Sequence, residues 1–353
     1  MRVLLIIVRS DFGGGPRHVH QLVEHLPAIV ELYMAYPEVG DPYADLWKNK
    51  SNIKGTCFIP YRKFSIKTLF RLKKFIKQNK IDIVHSHGNG AGLYSRILKI
   101  LGCKVKVVHT FHGITVNYSS FLKKIANQVS GFILRPFTNR FILVGKGELE
   151  LGEKIGVLND TRSSVIYNGI ETPLEVIKKT NNAINIVTLS RFDYQKNMDL
   201  AYEIASKLKS HKEICFIWVG DGDDMERLKN QADKENLNIK FIGFSKEPMK
   251  YLAEADLYLS TSRFEGLPYA LIEASSMSLP IIATNVIGNN ECVDDGETGY
   301  LFDTCEEAVD KIEYLVSDKS KIDEMSHKSR EFFCANFTIE KMLSDLLNVY
   351  NSI

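Results

Sequence analysis

The sequence predicts an α/β protein built as two doubly wound domains, each a parallel sheet covered by helices, facing across a cleft. Three observations predict this. Short, near-continuous apolar runs alternate with helical stretches along all 353 residues; strands of that kind belong to sheets buried on both faces. The runs fall into two sets, one in each half of the chain. The length exceeds what one compact core normally holds and suits two domains of ordinary size.

In the first half the expected strands are Val3–Val8, Ile29–Met34, Ile81–His85, Val105–Thr110, Arg140–Val144 and Ser164–Ile166. In the second they are Ile184–Leu189, Ile214–Val219, Ile239–Ile242, Leu257–Ser260, Ile281–Thr284 and Gly299–Phe302. The junction falls near Asn168-Gly-Ile-Glu-Thr-Pro173, followed by the polar stretch Lys178-Lys-Thr-Asn-Asn182. The expected organisation is an N-terminal domain over 1–172, a C-terminal domain over 173–337, and a last helix over 338–353 free to pack back on the first domain. Ligands of such sheets bind outside the carboxyl ends of the strands.

Composition narrows the class. Hydrophobic residues make up 44% and charged residues 25%, as in an ordinary globular protein. The first apolar run lies between Arg2 and Arg9, too short for a signal-peptide core, and no run approaches membrane-spanning length. The six cysteines, at 57, 103, 215, 292, 305 and 334, show no paired or metal-type spacing, so free thiols in a reducing cytoplasm are expected. The net charge of +2 hides a split. Residues 1–172 carry 25 Lys and Arg against 12 Asp and Glu, and the remainder 20 against 31. Within the basic half, Arg62, Lys63, Lys67, Arg71, Lys73, Lys74, Lys77 and Lys80 flank Phe64, Ile66, Leu69, Phe70, Leu72, Phe75 and Ile76. That is a basic amphipathic helix, suited to an anionic membrane surface. No nucleic-acid-binding motif accompanies the charge, so nucleic acid is not an expected partner.

The segment richest in chemistry is Glu265-Gly-Leu-Pro-Tyr-Ala-Leu-Ile-Glu273. It follows the strand that ends in Ser260-Thr-Ser262 and opens a helix. A helix N-terminus offers backbone N–H groups and a positive dipole end to phosphate, and the two carboxylates suit a polyhydroxyl ligand. Other strand ends carry further candidates. The turn Ser10-Asp-Phe-Gly-Gly-Gly-Pro-Arg-His18 allows close backbone approach at its glycines. His112 precedes Gly113 after the fourth strand. Arg191 and Lys196 lie five apart in a loop, where a guanidinium fork and an ammonium could clamp a diphosphate. Asp221-Gly-Asp-Asp224 resembles an acidic metal triplet, but its position before Met225 reads as a helix-capping turn. His85 and His87 have metal-like spacing without a neighbouring ligand and read as a hydrogen-bonded strand-end pair.

In their order these segments resemble glycosyltransferase family 4, the retaining nucleotide-sugar transferases of the GT-B fold, whose domains are Rossmann-like. The resemblance rests on the glycines at 13–15, His112-Gly113, Val165-Ile-Tyr-Asn-Gly-Ile170, Arg191 with Lys196, Val219-Gly-Asp-Gly222, the two glutamates with seven residues between them, and Asp295-Gly-Glu-Thr-Gly-Tyr-Leu-Phe302. At Gly288-Asn-Asn-Glu291 the chain departs from the Gly-Gly-x-x-Glu of many relatives. The resemblance implies catalytic roles for His112, Arg191, Lys196 and Glu265, with the two cations on the donor diphosphate and His112 on the donor sugar. It implies substrate binding by Gly14, Gly15, Asn168, Gly243, Phe244, Gly266, Leu267, Pro268, Tyr269, Ala270 and Glu273, the last on the ribose. It further implies transfer of a sugar, from a UDP-sugar by family frequency, to a glycan or polyprenyl-diphosphate-linked acceptor in cell-surface polysaccharide synthesis. No metal and no cofactor beyond the donor are expected. The expected location is cytoplasmic, peripheral on the inner face of the membrane. A nucleotide-sugar epimerase of the same fold and a non-catalytic nucleotide-sugar-binding subunit are the alternative functions.

Overall fold

The computed structural model describes residues 1–38, 42–114, 131–158, 160–173 and 183–353; the expected linker stretch 178–182 lies outside them. The chain forms two compact units, Met1–Gly169 with Ile339–Ile353, and Ile170–Thr338.

In the first unit β1 (Arg2–Ile7), β2 (Glu31–Ala35), β3 (Ile53–Thr56), β4 (Ile83–His87), β5 (Lys106–Thr110), β6 (Arg140–Leu143) and β7 (Ser163–Val165) form one parallel sheet in the order 3-2-1-4-5-6-7. Parallel neighbours cannot be joined by hairpins, so helices carry the chain back: α1 (Gly14–His25), α2 (Pro42–Lys48), α3 (Ile66–Asn79), α4 (Gly88–Ile100) and α5 (Lys146–Lys154). Strand alternation divides the core in two. Val3, Leu5 and Ile7 of β1 pack with Val19, Leu22 and Val23 of α1 and Trp47 of α2. Leu4 and Ile6 point the other way, into Leu69, Leu72 and Ile76 of α3 and Tyr94 and Leu98 of α4. Strand β3 escaped the sequence reading because Ile53-Lys-Gly-Thr56 has no apolar run; it needs none, lying at the sheet's edge.

The basic helix buries only part of its apolar set. Ser65 caps α3, its hydroxyl accepting from the Thr68 N–H at 3.3 Å. Leu69, Leu72 and Ile76 are buried, yet Phe64, Ile66 and Phe70 stay exposed at 42%, 66% and 57%. A hydrophobic stripe as wide as the sequence suggests exceeds what one sheet face can cover, and the remainder shares the solvent side with the lysines.

The second unit repeats the plan. Strands β8 (Ile184–Leu189), β9 (Ile214–Val219), β10 (Ile239–Gly243), β11 (Leu257–Ser260), β12 (Ile281–Thr284) and β13 (Gly299–Phe302) form a parallel sheet ordered 10-9-8-11-12-13. It is flanked by α6 (Met198–Lys207), α7 (Met225–Glu235), α8 (Met249–Ala253), α9 (Tyr269–Ser276), α10 (Cys305–Val316) and α11 (Lys319–Asn336). One core joins Ile184, Ile186, Trp218 and Leu257 of the strands to Ile204 of α6 and Ala308 and Ile312 of α10. All six cysteines are free thiols. No described helix is long and apolar enough to cross a membrane.

The last helix, α12 (Ile339–Asn351), belongs to the first unit. Ile339, Met342, Leu346, Val349 and Tyr350 fall on one helical face and join the core containing Val3 and Val19. Leu346→Ala therefore leaves a cavity in that core. It should cost about 2–4 kcal/mol, read as a lower urea midpoint for the first unit's transition; an unchanged midpoint would show that α12 does not hold the core together.

Candidate active site

In an open parallel sheet, the loops after the two strands where the order reverses diverge and leave a crevice at the strands' carboxyl ends. In the second unit these are the loops after β8 and β11. The first carries Arg191, Gln195 and Lys196, the second Ser262 and Glu265. Lys196 Nζ lies 2.6 Å from Glu265 Oε1, with side chains only 17% and 9% exposed. Ser262 Oγ donates to the same oxygen at 2.7 Å, and Gln195 Nε2 to Oε2 at 3.3 Å and to the Phe264 carbonyl at 3.0 Å. Arg191 joins from outside, bonding Gln195 Oε1 at 3.1 Å and Asp193 at 3.0 Å, its own side chain 63% exposed. The expected Arg–Lys clamp is thus a chain, Arg191–Gln195–Glu265–Lys196, in which Glu265 neutralises the lysine.

Local folding explains why these loops hold still. The Tyr258 hydroxyl accepts from the Leu189 N–H at 3.2 Å and donates to its carbonyl at 3.1 Å, tying the end of β8 to β11. Burial, then the nearby carboxylates of Glu273 and Glu265, raise that phenol's pKa and keep it protonated. Thr261 Oγ1 donates to the Lys196 carbonyl at 3.0 Å, and Thr284 Oγ1 to that of Ser262 at 2.6 Å. Gly288 has φ +88°, and a Cβ there would stand 2.3 Å from the Gly266 carbonyl oxygen and 3.0 Å from Glu265 Cβ. Only glycine lets the 284–291 loop back so closely onto Glu265.

Beyond that turn, Pro268 stands at the N-cap of α9, with Leu267 and Tyr269 buried and Gly266 and Ala270 partly so. Glu273 is buried on α9 at 5% exposure. Gly243 closes β10 with φ +78°, and Phe244 follows with its ring 55% exposed. Asp224 stands at the N-cap of α7, as its capping turn predicts, but its carboxylate makes no cap bond; it pairs instead with Arg227 at 2.9 Å.

In the first unit the order reverses between β1 and β4. Gly14 and Gly15 open α1 after β1, and His112 lies beyond β5. A Cβ on Gly15 would touch the His112 ring at 3.3 Å. His18, one turn further along α1, packs its ring 4.9 Å from that of His112, and its Nδ1 bonds Asn168 Oδ1 at 3.0 Å. Four expected residues, Gly14, Gly15, His112 and Asn168, are therefore gathered around one residue that sequence reasoning missed. The signal for His18 was its place three residues past the glycines, facing inward. Behind His112, Glu148 accepts from the Gly113 N–H at 2.7 Å and the Val144 N–H at 2.9 Å, fixing the loop. His85 and His87 pack with ring centroids 4.1 Å apart at a tilt of 37° but bond elsewhere: His85 to the Tyr350 hydroxyl and Thr110, His87 to His112. Among the described residues, no group of three His, Cys, Asp or Glu side chains is placed to hold a metal ion.

Two doubly wound parallel sheets, one with a part-buried cation–carboxylate pair at its switch point, define an α/β protein of two Rossmann-like units. Residues 12–173 match the family model Glycosyltransferase Family 4, and residues 171–332 match Glycosyl transferases group 1. The chain belongs to this glycosyltransferase family. It is 27% identical over 308 residues to UDP-Gal:alpha-D-GlcNAc-diphosphoundecaprenol alpha-1,3-galactosyltransferase of Escherichia coli, covering 81% of this chain and 79% of that protein. It is 25% identical over 341 residues to the Escherichia coli O-antigen biosynthesis glycosyltransferase WbnH, covering 94% and 95%. The crystal structure of Anabaena Alr3699/HepE in complex with UDP and glucose aligns over 100% of both chains with a TM-score of 0.85 at 16% identity. At that identity the likeness establishes the GT-B fold.

The histidines make the first unit sensitive to acid. Burial lowers the pKa of His18 from 6.5 to about 4, and holds those of His85, His87, His109 and His112 well down. The unfolded chain therefore binds more protons than the native one below pH 6.5, and stability falls as pH drops through the window from 6.5 to about 4. His18 alone should remove about 2 kcal/mol between pH 7.5 and pH 5. Urea unfolding at the two pH values measures it, and His18→Gln should flatten the dependence; equal slopes for both proteins would contradict this.

Proposed function

We propose that the chain is a retaining glycosyltransferase that moves a sugar from a UDP-sugar to a hydroxyl of a glycan or polyprenyl-diphosphate-linked acceptor during synthesis of a cell-surface polysaccharide. The observation that carries the reading is the part-buried Lys196–Glu265 pair at the switch point of the second sheet, with Arg191 linked to it through Gln195. The names of the Escherichia coli relatives, a galactosyltransferase with a UDP-Gal donor and an O-antigen enzyme, support the donor and the pathway class.

In this reading Lys196 and Arg191 turn from their carboxylate partners to the donor diphosphate and stabilise the charge that develops on it as it leaves. Two cations there make a metal ion unnecessary. Glu265 and the backbone of Gly266, Leu267, Pro268, Tyr269 and Ala270 hold sugar hydroxyls and phosphate, helped by the N-terminal dipole of α9. Glu273 takes the ribose hydroxyls, while Gly243 and Phe244 frame the base. Asn168 steadies His18 and, through it, His112. In the first unit His112 contacts the donor sugar, and the backbone at Gly14 and Gly15 approaches phosphate and acceptor. The anomeric carbon–oxygen bond to phosphate breaks as the acceptor oxygen attacks from the same face. The leaving phosphate oxygen takes the acceptor's proton, so the configuration is retained.

A thermal-shift series with UDP, GDP and ADP tests the donor site. UDP at a hundredfold excess over its dissociation constant should add about 2.7 kcal/mol of stability, and Lys196→Ala should abolish the shift. No shift with any nucleotide would overturn the reading.

The lipid-linked acceptor fits the surface of the first unit. Around α3, exposed Tyr61, Phe64, Ile66 and Phe70 stand among exposed Arg62, Lys63, Lys67, Arg71 and Lys74. Apolar side chains framed by cations suit a bilayer with anionic headgroups, where each basic residue near the surface contributes about 1 kcal/mol. The protein should co-sediment with phosphatidylglycerol vesicles, release at high salt, and bind less when Phe64 and Phe70 are both changed to Ser. Equal sedimentation with neutral vesicles would count against a peripheral membrane location.

A further inference from the structure

We propose that His87 is a positioning residue for His112: its Nδ1–H donates to His112 Nε2 and so leaves His112 with its remaining proton on Nδ1, as a hydrogen-bond donor to the ligand. The proposal rests on the reading of His112 as a group that contacts the donor sugar.

Geometry carries the first step. His87 Nδ1 and His112 Nε2 are 3.2 Å apart. The rings lie within 18° of parallel with centroids 5.4 Å apart, the arrangement of two imidazoles meeting edge to edge with a hydrogen bond between them. One proton occupies that bond, and the question is which ring owns it. Burial holds both imidazoles neutral, which leaves each ring one proton to place.

The far side of His87 answers the question. Its Nε2 is buried and has no hydrogen-bond partner among the described residues. If His112 were the donor, His87 would carry its proton on Nε2, a buried and orphaned N–H. If His87 is the donor, Nε2 keeps only a bare lone pair. Buried orphan N–H groups are rarer and costlier than unfilled acceptors, so the second arrangement wins. The neighbouring His85 does not change this. Its ring lies 4.1 Å from that of His87, but both its nitrogens are engaged, Nδ1 with the Tyr350 hydroxyl at 2.6 Å and Nε2 with Thr110 Oγ1 at 2.7 Å. His85 thus packs His87 in place, and α12 reaches the site through Tyr350.

The consequence lies at His112. The bond at one imidazole nitrogen fixes the protonation of the other. His112 Nδ1 has no hydrogen bond among the described residues, and with its proton there it serves as a donor to a sugar hydroxyl oxygen.

Long-range proton–nitrogen correlation spectra of the protein labelled with nitrogen-15 histidine report the tautomer of each ring directly. His112 should appear as the Nδ1–H form in the unmodified protein, and His87→Leu should release it toward Nε2–H. His87→Asn, which keeps an amide N–H near the place of Nδ1, should restore the wild-type form. In a transfer assay His87→Leu should lower kcat at least tenfold with donor KM within threefold, and His87→Asn should recover most of it. An Nε2–H tautomer of His112 in the unmodified protein overturns the proposal without any variant. So does a His87→Leu protein with unchanged tautomer and kcat. A fully active His112→Ala protein would instead overturn the role of His112 while leaving the spectrum to decide the tautomer.

Discussion

The structure turns on a part-buried ion pair between two loops that a parallel sheet would otherwise leave apart. Lys196 follows β8 and Glu265 follows β11, and their 2.6 Å contact bridges the two loops where the strand order reverses. A part-buried ammonium gains from a partner, and removing either member leaves the other charge without its counter-ion. The surrounding bonds follow from that need. Ser262 and Gln195 fill the remaining lone pairs of Glu265. Tyr258, Thr261 and Thr284 fix the backbones that carry the pair. In the proposed reading a diphosphate offers Lys196 a second anion, against which the carboxylate of Glu265 exchanges.

The first unit solves a different problem with neutral groups. Its switch point gathers imidazoles that burial keeps uncharged, and among the described residues no carboxylate is bonded to His18, His87 or His112. Hydroxyl and amide partners, Thr110, Tyr350, Ser86 and Asn168, take their nitrogens instead. Such a network orients a ring without charging it, which suits contact with an uncharged sugar. The same burial is what exposes this unit to acid.

Much of this was legible in the residues. The apolar runs marked twelve of the thirteen strands among the described residues, because parallel strands buried on both faces need no alternation to be seen. Glu265, Arg191 and Lys196 were legible because strand ends followed by small or glycine-rich turns are where such sheets place chemistry. What escaped has a common cause. The edge strand at Ile53, the partners Gln195 and Ser262, and the histidines 18 and 87 acquire their roles only from contacts distant in sequence. Lys196 and Glu265 are 69 positions apart, and no local pattern says that they touch. How much of its apolar stripe α3 buries was not legible, for the converse reason. Periodicity says that a stripe is apolar, not how much of it the neighbouring sheet can cover, and Phe64, Ile66 and Phe70 were left outside.

The central claim is that the Lys196–Glu265 pair is the seat of the donor diphosphate. Calorimetric titration of UDP into the unmodified protein, Lys196→Met and Glu265→Gln tests it most directly. If the claim holds, Lys196→Met weakens UDP at least tenfold, while Glu265→Gln, which frees the lysine from its competing carboxylate, binds UDP as tightly as the unmodified protein or more so. UDP affinity equal within twofold in the unmodified protein and Lys196→Met would contradict it.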